Sequence, residues 1–303
     1  MSVPFRELML PVGDGHCLHG LLAGDPAGEP LALLHGGPGS GTSSRLLDLC
    51  DPARQWIVAF DQRGAGLSTP RGGTAANTTA HLVADLETVR RHLGITRWRV
   101  AGGSWGATLA LAYAIVHREA VAGLVLRSPF LPGRGNVDHF FRSAADGLPA
   151  ARAALRAAVP EARGDDFLPA LAARLAGADG VAEEAALAWL AYERAVAGEA
   201  GPPPALDGAR RRALVDKYRI QAHYLLAGCF MDKAAFLDGC ATLAGLPVSL
   251  LHGVDDRVCP PANAERLHAR IAGSRLEWIA GCGHDPFHPA MAAAWRAAMA
   301  QPV

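Results

Sequence analysis

Short apolar runs punctuate the chain at residues 7–12, 18–23, 31–35, 56–60, 98–101, 124–126, 248–252 and 276–280, each closed by Gly, Asp or Pro. Several are aliphatic on both alternating faces, the pattern of strands buried on both sides of a mostly parallel sheet. The first two, separated by Gly13-Asp14-Gly15, predict an antiparallel hairpin. Between the later runs the period lengthens. Residues 81–93 place Leu82, Leu86, Val89 and Leu93 on one face at spacings of three and four, which predicts a helix. Residues 107–117 and 263–271 read as helices that follow the runs at 98 and 248. Strand and helix in alternation predict an α/β fold, an eight-stranded, mostly parallel sheet flanked by helices.

One stretch departs from the alternation. From 129 to 240 the chain is Ala-rich, helical in period and without a clear strand, and Gly201-Pro202-Pro203-Pro204 interrupts it. The strand pattern then resumes at Val248. A helical insertion at 129–240, between two parts of one sheet domain at 1–128 and 241–303, accounts for this pattern better than a separate C-terminal domain does.

Composition narrows the functional classes. Hydrophobic residues make up 50% of the 303 positions and charged residues 19%, enough to bury a core. Lys+Arg and Asp+Glu both number 29, with no basic run, so a nucleic-acid partner is not expected. The six cysteines are scattered without a C-x-x-C pair, which favours reduced thiols in a cytoplasmic protein. The N-terminus lacks a signal-like apolar region, and the run at 109–116 is too short to span a bilayer, so no membrane partner is expected. No H-E-x-x-H and no paired Cys/His spacing marks a metal site, and no cofactor is expected. Nothing in the pattern sets an oligomeric state.

The chemistry concentrates at Gly102-Gly103-Ser104-Trp105-Gly106, a G-x-S-x-G between a predicted strand and a predicted helix. That context is a nucleophile elbow, a tight turn that projects the Ser104 hydroxyl from the sheet edge, with glycines where strand and helix come too close for side chains. The helix start behind Ser104 favours developing negative charge. A second Gly-rich turn, His35-Gly36-Gly37-Pro38-Gly39, follows the run at 31–35. With no G-K-[S/T] after it, it reads as an oxyanion loop and not a phosphate loop, with Gly37 N–H and Trp105 N–H as the donors, and a plain turn is the alternative. A serine triad then needs an acid and a histidine later in the chain. Asp256 follows the run at 248–252, with Asp255 as its rival. His284 follows the run at 276–280 as general base, with His288, His252 and His35 as alternatives; His252 and His35 end strands and suit packing or loop shaping. Serine at the elbow argues against an epoxide hydrolase or dehalogenase, whose ester intermediates need Asp there. With every part of the machinery present, a protein that only binds a ligand is disfavoured.

These residues resemble a specific family. His35-Gly36-Gly37-Pro38-Gly39, Asp61-Gln62-Arg63-Gly64-Ala65-Gly66-Leu67-Ser68, Asn77-Thr78-Thr79 and the elbow are similar to the proline iminopeptidases, as are Val125-Leu126-Arg127, Val258-Cys259-Pro260 and Gly283-His284. The resemblance implies an α/β-hydrolase fold with the insertion as a helical cap. It implies metal-free cleavage after an N-terminal proline of small peptides, or of a similar small peptide or amide substrate. It also implies that Glu193 holds the substrate's free amine, that Phe130 and Phe140 wall the proline pocket, and that Arg127 belongs to the substrate side. Periodicity bears on Glu193 independently. Ala185, Trp189, Glu193 and Val196 share one helical stripe, so the carboxylate sits among apolar groups and calls for a cationic partner. A Glu at a stripe edge that snorkels out or pairs with a nearby Arg is the alternative. The chain departs from the family where Gln221 stands for a second amine-binding Glu, where Leu225 replaces an aromatic residue of the pocket, and where Val254-Asp255 replace Arg-Tyr. Losing one carboxylate lowers the binding of a protonated amine by about 1–3 kcal/mol. A repurposed pocket for another small amide or ester is therefore the alternative activity. Cys259, three residues after Asp256, reads either as a thiol near the site that confers sensitivity to thiol-blocking reagents or, equally, as a buried, inert cysteine.

Overall fold

The computed structural model describes residues 3–199, 201 and 205–302; Pro202-Pro203-Pro204, the interruption noted above, lies outside the described residues. The strands are β1 (Phe5–Gly13), β2 (His16–Gly24), β3 (Glu29–Leu34), β4 (Gln55–Phe60), β5 (Trp98–Gly103), β6 (Val121–Arg127), β7 (Val248–Gly253) and β8 (Arg275–Ile279). They form one eight-stranded sheet in the order β1-β2-β4-β3-β5-β6-β7-β8. β1–β2 and β2–β4 pair antiparallel, and every other pair is parallel. The expected hairpin is β1–β2, and the expected α/β sheet is present in full.

Period-2 alternation with apolar residues on both faces explains the burial. In β3, Ala32 and Leu34 enter one apolar cluster while Leu31 and Leu33 enter the other. The first cluster is covered by α1 (Thr79–His92) and α2 (Trp105–Val116), through Leu82, Leu86, Leu109 and Tyr113. α9 (Ala262–Arg270) adds Leu267 to the same face. The opposite face is covered by α10 (Pro289–Met299), through Met291, Trp295 and Met299. Sequence reading did not anticipate α10; its signal was the spacing of four between those three large side chains in an Ala-rich run.

Between β6 and β7 run α3 (Arg134–Phe141), α4 (Pro149–Ala158), α5 (Phe167–Leu175), α6 (Asp179–Val196), α7 (Gly208–Leu226) and α8 (Lys233–Ala241). No strand interrupts them among the described residues. They build a third apolar cluster around Phe141, Phe167, Trp189, Tyr192 and Tyr218. The Trp189 and Tyr218 rings stack with centroids 4.7 Å apart, which clamps α6 to α7. α8 behaves differently: Phe236 and Cys240 join the cluster of α1 and α2. The inserted helices meet the sheet side through α7. The Tyr224 hydroxyl donates to Asn77 Oδ1 at 2.8 Å, and the Tyr224 ring meets Trp105 edge-on with centroids 5.1 Å apart. Among the described residues no helix is long and apolar enough to cross a membrane.

Candidate active site

Ser104 lies between the end of β5 and the start of α2, at φ 55° and ψ −122°. A non-glycine residue in this region is strained, as expected of a serine thrust out at a strand-to-helix turn. The turn closes only because Gly102 and Gly106 lack side chains. A Cβ on Gly102 would lie 2.6 Å from the Gly106 carbonyl, and one on Gly106 would lie 2.5 Å from the Leu34 oxygen. Backbone hydrogen bonds fix the hydroxyl's position, since Ser104 N–H donates to the Arg127 carbonyl at 2.9 Å.

Asp256 and His284 come together from the loops after β7 and β8. His284 Nδ1 donates to Asp256 Oδ2 at 2.7 Å. Asp256 Oδ1 accepts the N–H groups of Val258 and Cys259, both at 2.9 Å. The Asp256 side chain is fully buried. Burial alone would raise its pKa, but the His284 charge and hydrogen bond outweigh it and hold the carboxyl below its usual range. The rival Asp255 is exposed. His252 is buried and its Nε2 meets the Cys259 carbonyl at 3.0 Å, while His35 Nε2 accepts the Gln62 N–H at 3.0 Å. Both are loop-shaping residues, as their strand-end positions suggested. Ser104 and His284 line one cavity of about 900 Å³. Among the described residues the Ser104 hydroxyl has no hydrogen bond to His284; its side-chain partner is Cys259 Sγ, at 3.8 Å. Contacts of this kind commonly tighten only when substrate is bound.

Gly37 and Trp105 line the same cavity beside Ser104. Trp105 is the first residue of α2, so its N–H is one of the helix-start donors with no partner inside the helix. Gly37 has φ +38°, a conformation that favours glycine. The two loops are joined by a residue that sequence reading used only for its family resemblance. Gln62 Nε2 donates to the His35 carbonyl at 3.1 Å, and Gln62 Oε1 accepts the Trp105 indole N–H at 2.8 Å. The same motif anchors the surrounding chain: Arg63 makes a two-point contact with Asp85, at 2.8 and 2.9 Å.

The expected recognition residues Phe130, Phe140, Glu193, Gln221 and Leu225 all reach the cavity wall. Glu193 has the cationic partner that its apolar stripe demanded, but the partner is Lys217, at 3.3 Å, and not an Arg. Tyr218 OH adds a hydrogen bond to the same carboxylate at 2.7 Å. Arg127, expected on the substrate side, lines the same cavity. It is buried, and its guanidinium donates to the His284 carbonyl at 2.6 Å. Its charge is spent on holding the histidine loop. Among the described residues no group of three or more His, Cys, Asp or Glu side chains could hold a metal ion.

Known proteins place this geometry in context. A family profile described as alpha/beta hydrolase fold matches residues 29–290. A proline iminopeptidase of Xylella fastidiosa is 39% identical over 299 residues, covering 94% of this chain and 93% of that protein. A proline iminopeptidase of Arabidopsis thaliana is 37% identical over 299 residues, covering 96% of this chain and 78% of the other. Among solved structures, an esterase from a Rhodococcus species superposes with a TM-score of 0.64 at 25% identity, covering 100% of both chains.

Proposed function

The chain belongs to the proline iminopeptidase family of α/β-hydrolase-fold proteins, and on that premise we propose that it is a serine hydrolase that releases an N-terminal proline, or a similar small residue, from short peptides. The observation that carries the reading is the 2.7 Å Asp256–His284 contact, which opens on the same cavity as the strained Ser104.

In this reading Ser104 Oγ attacks the carbonyl carbon of the scissile amide, and His284 Nε2 takes the hydroxyl proton. Asp256 holds the imidazole by Nδ1–H and stabilises its positive charge. The tetrahedral oxyanion sits on the Gly37 and Trp105 N–H groups, with the α2 start behind it. Collapse expels the leaving amine, protonated by His284, and leaves the prolyl ester of Ser104. Water then attacks the ester with His284 as base, and Ser104 is released. Phe130, Phe140 and Leu225 supply the apolar wall for the prolyl ring, and Glu193 holds the substrate's amino group. The helices of 129–240 act as a cap that admits short peptides and excludes folded chains. The free state of all six cysteines supports a cytoplasmic setting.

The test is kcat/KM on prolyl, alanyl and phenylalanyl p-nitroanilides beside p-nitrophenyl acetate, with Ser104→Ala as the blank. Prolyl preference is the expected result. Ester turnover with no prolyl turnover would overturn the substrate and leave the hydrolase.

A further inference from the structure

On the cavity wall built by α6 and α7, Glu193, which holds the substrate's amine in the reading above, is paired with a lysine that the reaction does not use. Lys217 and Gln221 are four residues apart on α7 and so share a face. Glu193 approaches them from α6, and all three line the cavity. Lys217 Nζ lies 3.3 and 3.4 Å from the two Glu193 oxygens. The pair is largely sheltered, with side-chain exposures of 18% for Lys217 and 31% for Glu193. Gln221 is neutral, and its Oε1 is buried with no partner. The charges on this face therefore cancel: Glu193 against Lys217 with Gln221 neutral, and beside them Arg194 against Glu199, which pair at the same wall.

A carboxylate holds a protonated amine by charge-assisted hydrogen bonds that strengthen as water is excluded. Here the carboxylate already has an ammonium partner, tethered to α7 by four methylenes. A substrate ammonium must displace Lys217 or share Glu193 with it. Displacement is feasible, because Lys217 Nζ also lies 4.6 Å from the centroid of the Tyr218 ring, where a cation–π contact retains it. A neutral N-terminus meets no such competition. The Gln221 carboxamide N–H can donate to the oxygen of an N-acyl group, whose prolyl nitrogen carries no hydrogen of its own, and the cavity of about 900 Å³ has room for that group beyond the prolyl ring.

We propose that Lys217 is a specificity-determining residue: it neutralises the amine-recognition face, so that the enzyme accepts N-acylated prolyl amides alongside free N-termini. This rests on the reading of Glu193 as the amine holder given above.

The experiment compares kcat/KM for prolyl p-nitroanilide and N-acetylprolyl p-nitroanilide in the wild type, Lys217→Met and Lys217→Arg. Active sites are counted with a fluorophosphonate so that only folded enzyme enters the rates. The wild type should turn over both substrates, with a free-to-blocked ratio within about tenfold. Lys217→Met should raise that ratio by about three- to tenfold, through a lower KM for the free amine and not a higher kcat. Lys217→Arg, which keeps the charge, should keep the wild-type ratio. An inert blocked substrate in the wild type, or a ratio unmoved by Lys217→Met, overturns this proposal and leaves prolyl release standing. Absence of turnover of both prolyl substrates in every form, with p-nitrophenyl acetate still cleaved, overturns the prolyl reading and this proposal with it.

Discussion

Gln62 and Trp105 are joined by a hydrogen bond of 2.8 Å from the indole N–H to the amide oxygen, while the other end of the same amide holds the His35 carbonyl. One buried side chain thus sets the spacing between the loop that presents Gly37 and the helix start that presents Trp105. Gln62→Leu should leave the indole N–H and the His35 carbonyl unpaired and let the two proposed oxyanion donors drift. We expect kcat to fall about 10- to 100-fold with KM nearly constant, and stability to drop by about 1–3 kcal/mol. Steady-state kinetics and urea unfolding of the purified variant check both. A change confined to KM would separate Gln62 from oxyanion support.

Asp256→Asn keeps the side chain's shape and an oxygen for the Val258 and Cys259 N–H groups, so the loop should stay folded. The amide cannot stabilise an imidazolium as a carboxylate does, and it favours the wrong histidine tautomer. A loss of about 10³- to 10⁴-fold in kcat is expected, with little change in melting temperature. Asp255→Asn, altering the exposed neighbour, should cost less than about twofold, the ordinary result of a surface change. Reversal of these two outcomes would exchange the acids.

Cys259 occupies a place that invites a role in reactivity, 3.8 Å from the Ser104 hydroxyl. The thiol is nevertheless fully buried, and burial pushes its pKa well above the ordinary range, so it stays protonated at neutral pH. Iodoacetamide should therefore modify Cys17, the one cysteine that is not buried, well before Cys259 in the native enzyme. Peptide mapping by mass spectrometry after partial labelling decides the order. Early loss of activity with label at Cys259 would mean that the site opens far more than this arrangement allows.

Acid stability should depend on Glu87 of α1. The Arg90 guanidinium above all, with Arg91 and the Tyr113 hydroxyl, holds its pKa at about 2 against an ordinary 4.5. A pKa depressed by folding stabilises the native state fully above the unfolded value. That contribution fades as pH falls from about 4.5 toward about 2. Urea midpoints should drop through this window in the wild type. Glu87→Gln should be less stable at pH 7 and show a shallower decline. Parallel pH profiles for the two proteins would assign the acid sensitivity to other carboxylates.

The legible parts of the molecule are those where local pattern and tertiary role coincide. Strands such as β3 and β5 are apolar on both faces because both faces are covered, so their runs stand out. The elbow is readable because a serine flanked by glycines between strand and helix has few other uses. The meeting of Asp256 with His284 is readable because each follows a strand that ends on the same edge of the sheet. The rest depended on partners distant in sequence. Gln62 acts on His35 and Trp105, and no spacing shows that. Lys217 is visible as a cation one helical turn before Gln221, but its partner is on another helix. Arg127 lay in a recognisable motif, and only the loop after β8 shows that its guanidinium turns to the His284 carbonyl. α10 was hidden by its alanines, which blur the contrast that a helical stripe needs.

The division between sheet and inserted helices has a consequence for how such an enzyme diversifies. Ser104, Asp256 and His284 stand on loops braced by the two apolar clusters against the sheet, whereas Glu193, Lys217 and Gln221 stand on α6 and α7, whose packing is largely a cluster of their own. Substitutions that retune the pocket on α6 therefore fall on a part of the protein packed apart from the sheet's core, whereas α7 stays tied to that core through Ile220 and Tyr224. Mutational drift in α6 can sample new preferences while the reaction centre is conserved, so an inherited scaffold can exchange one clientele for another by a few surface-of-helix changes.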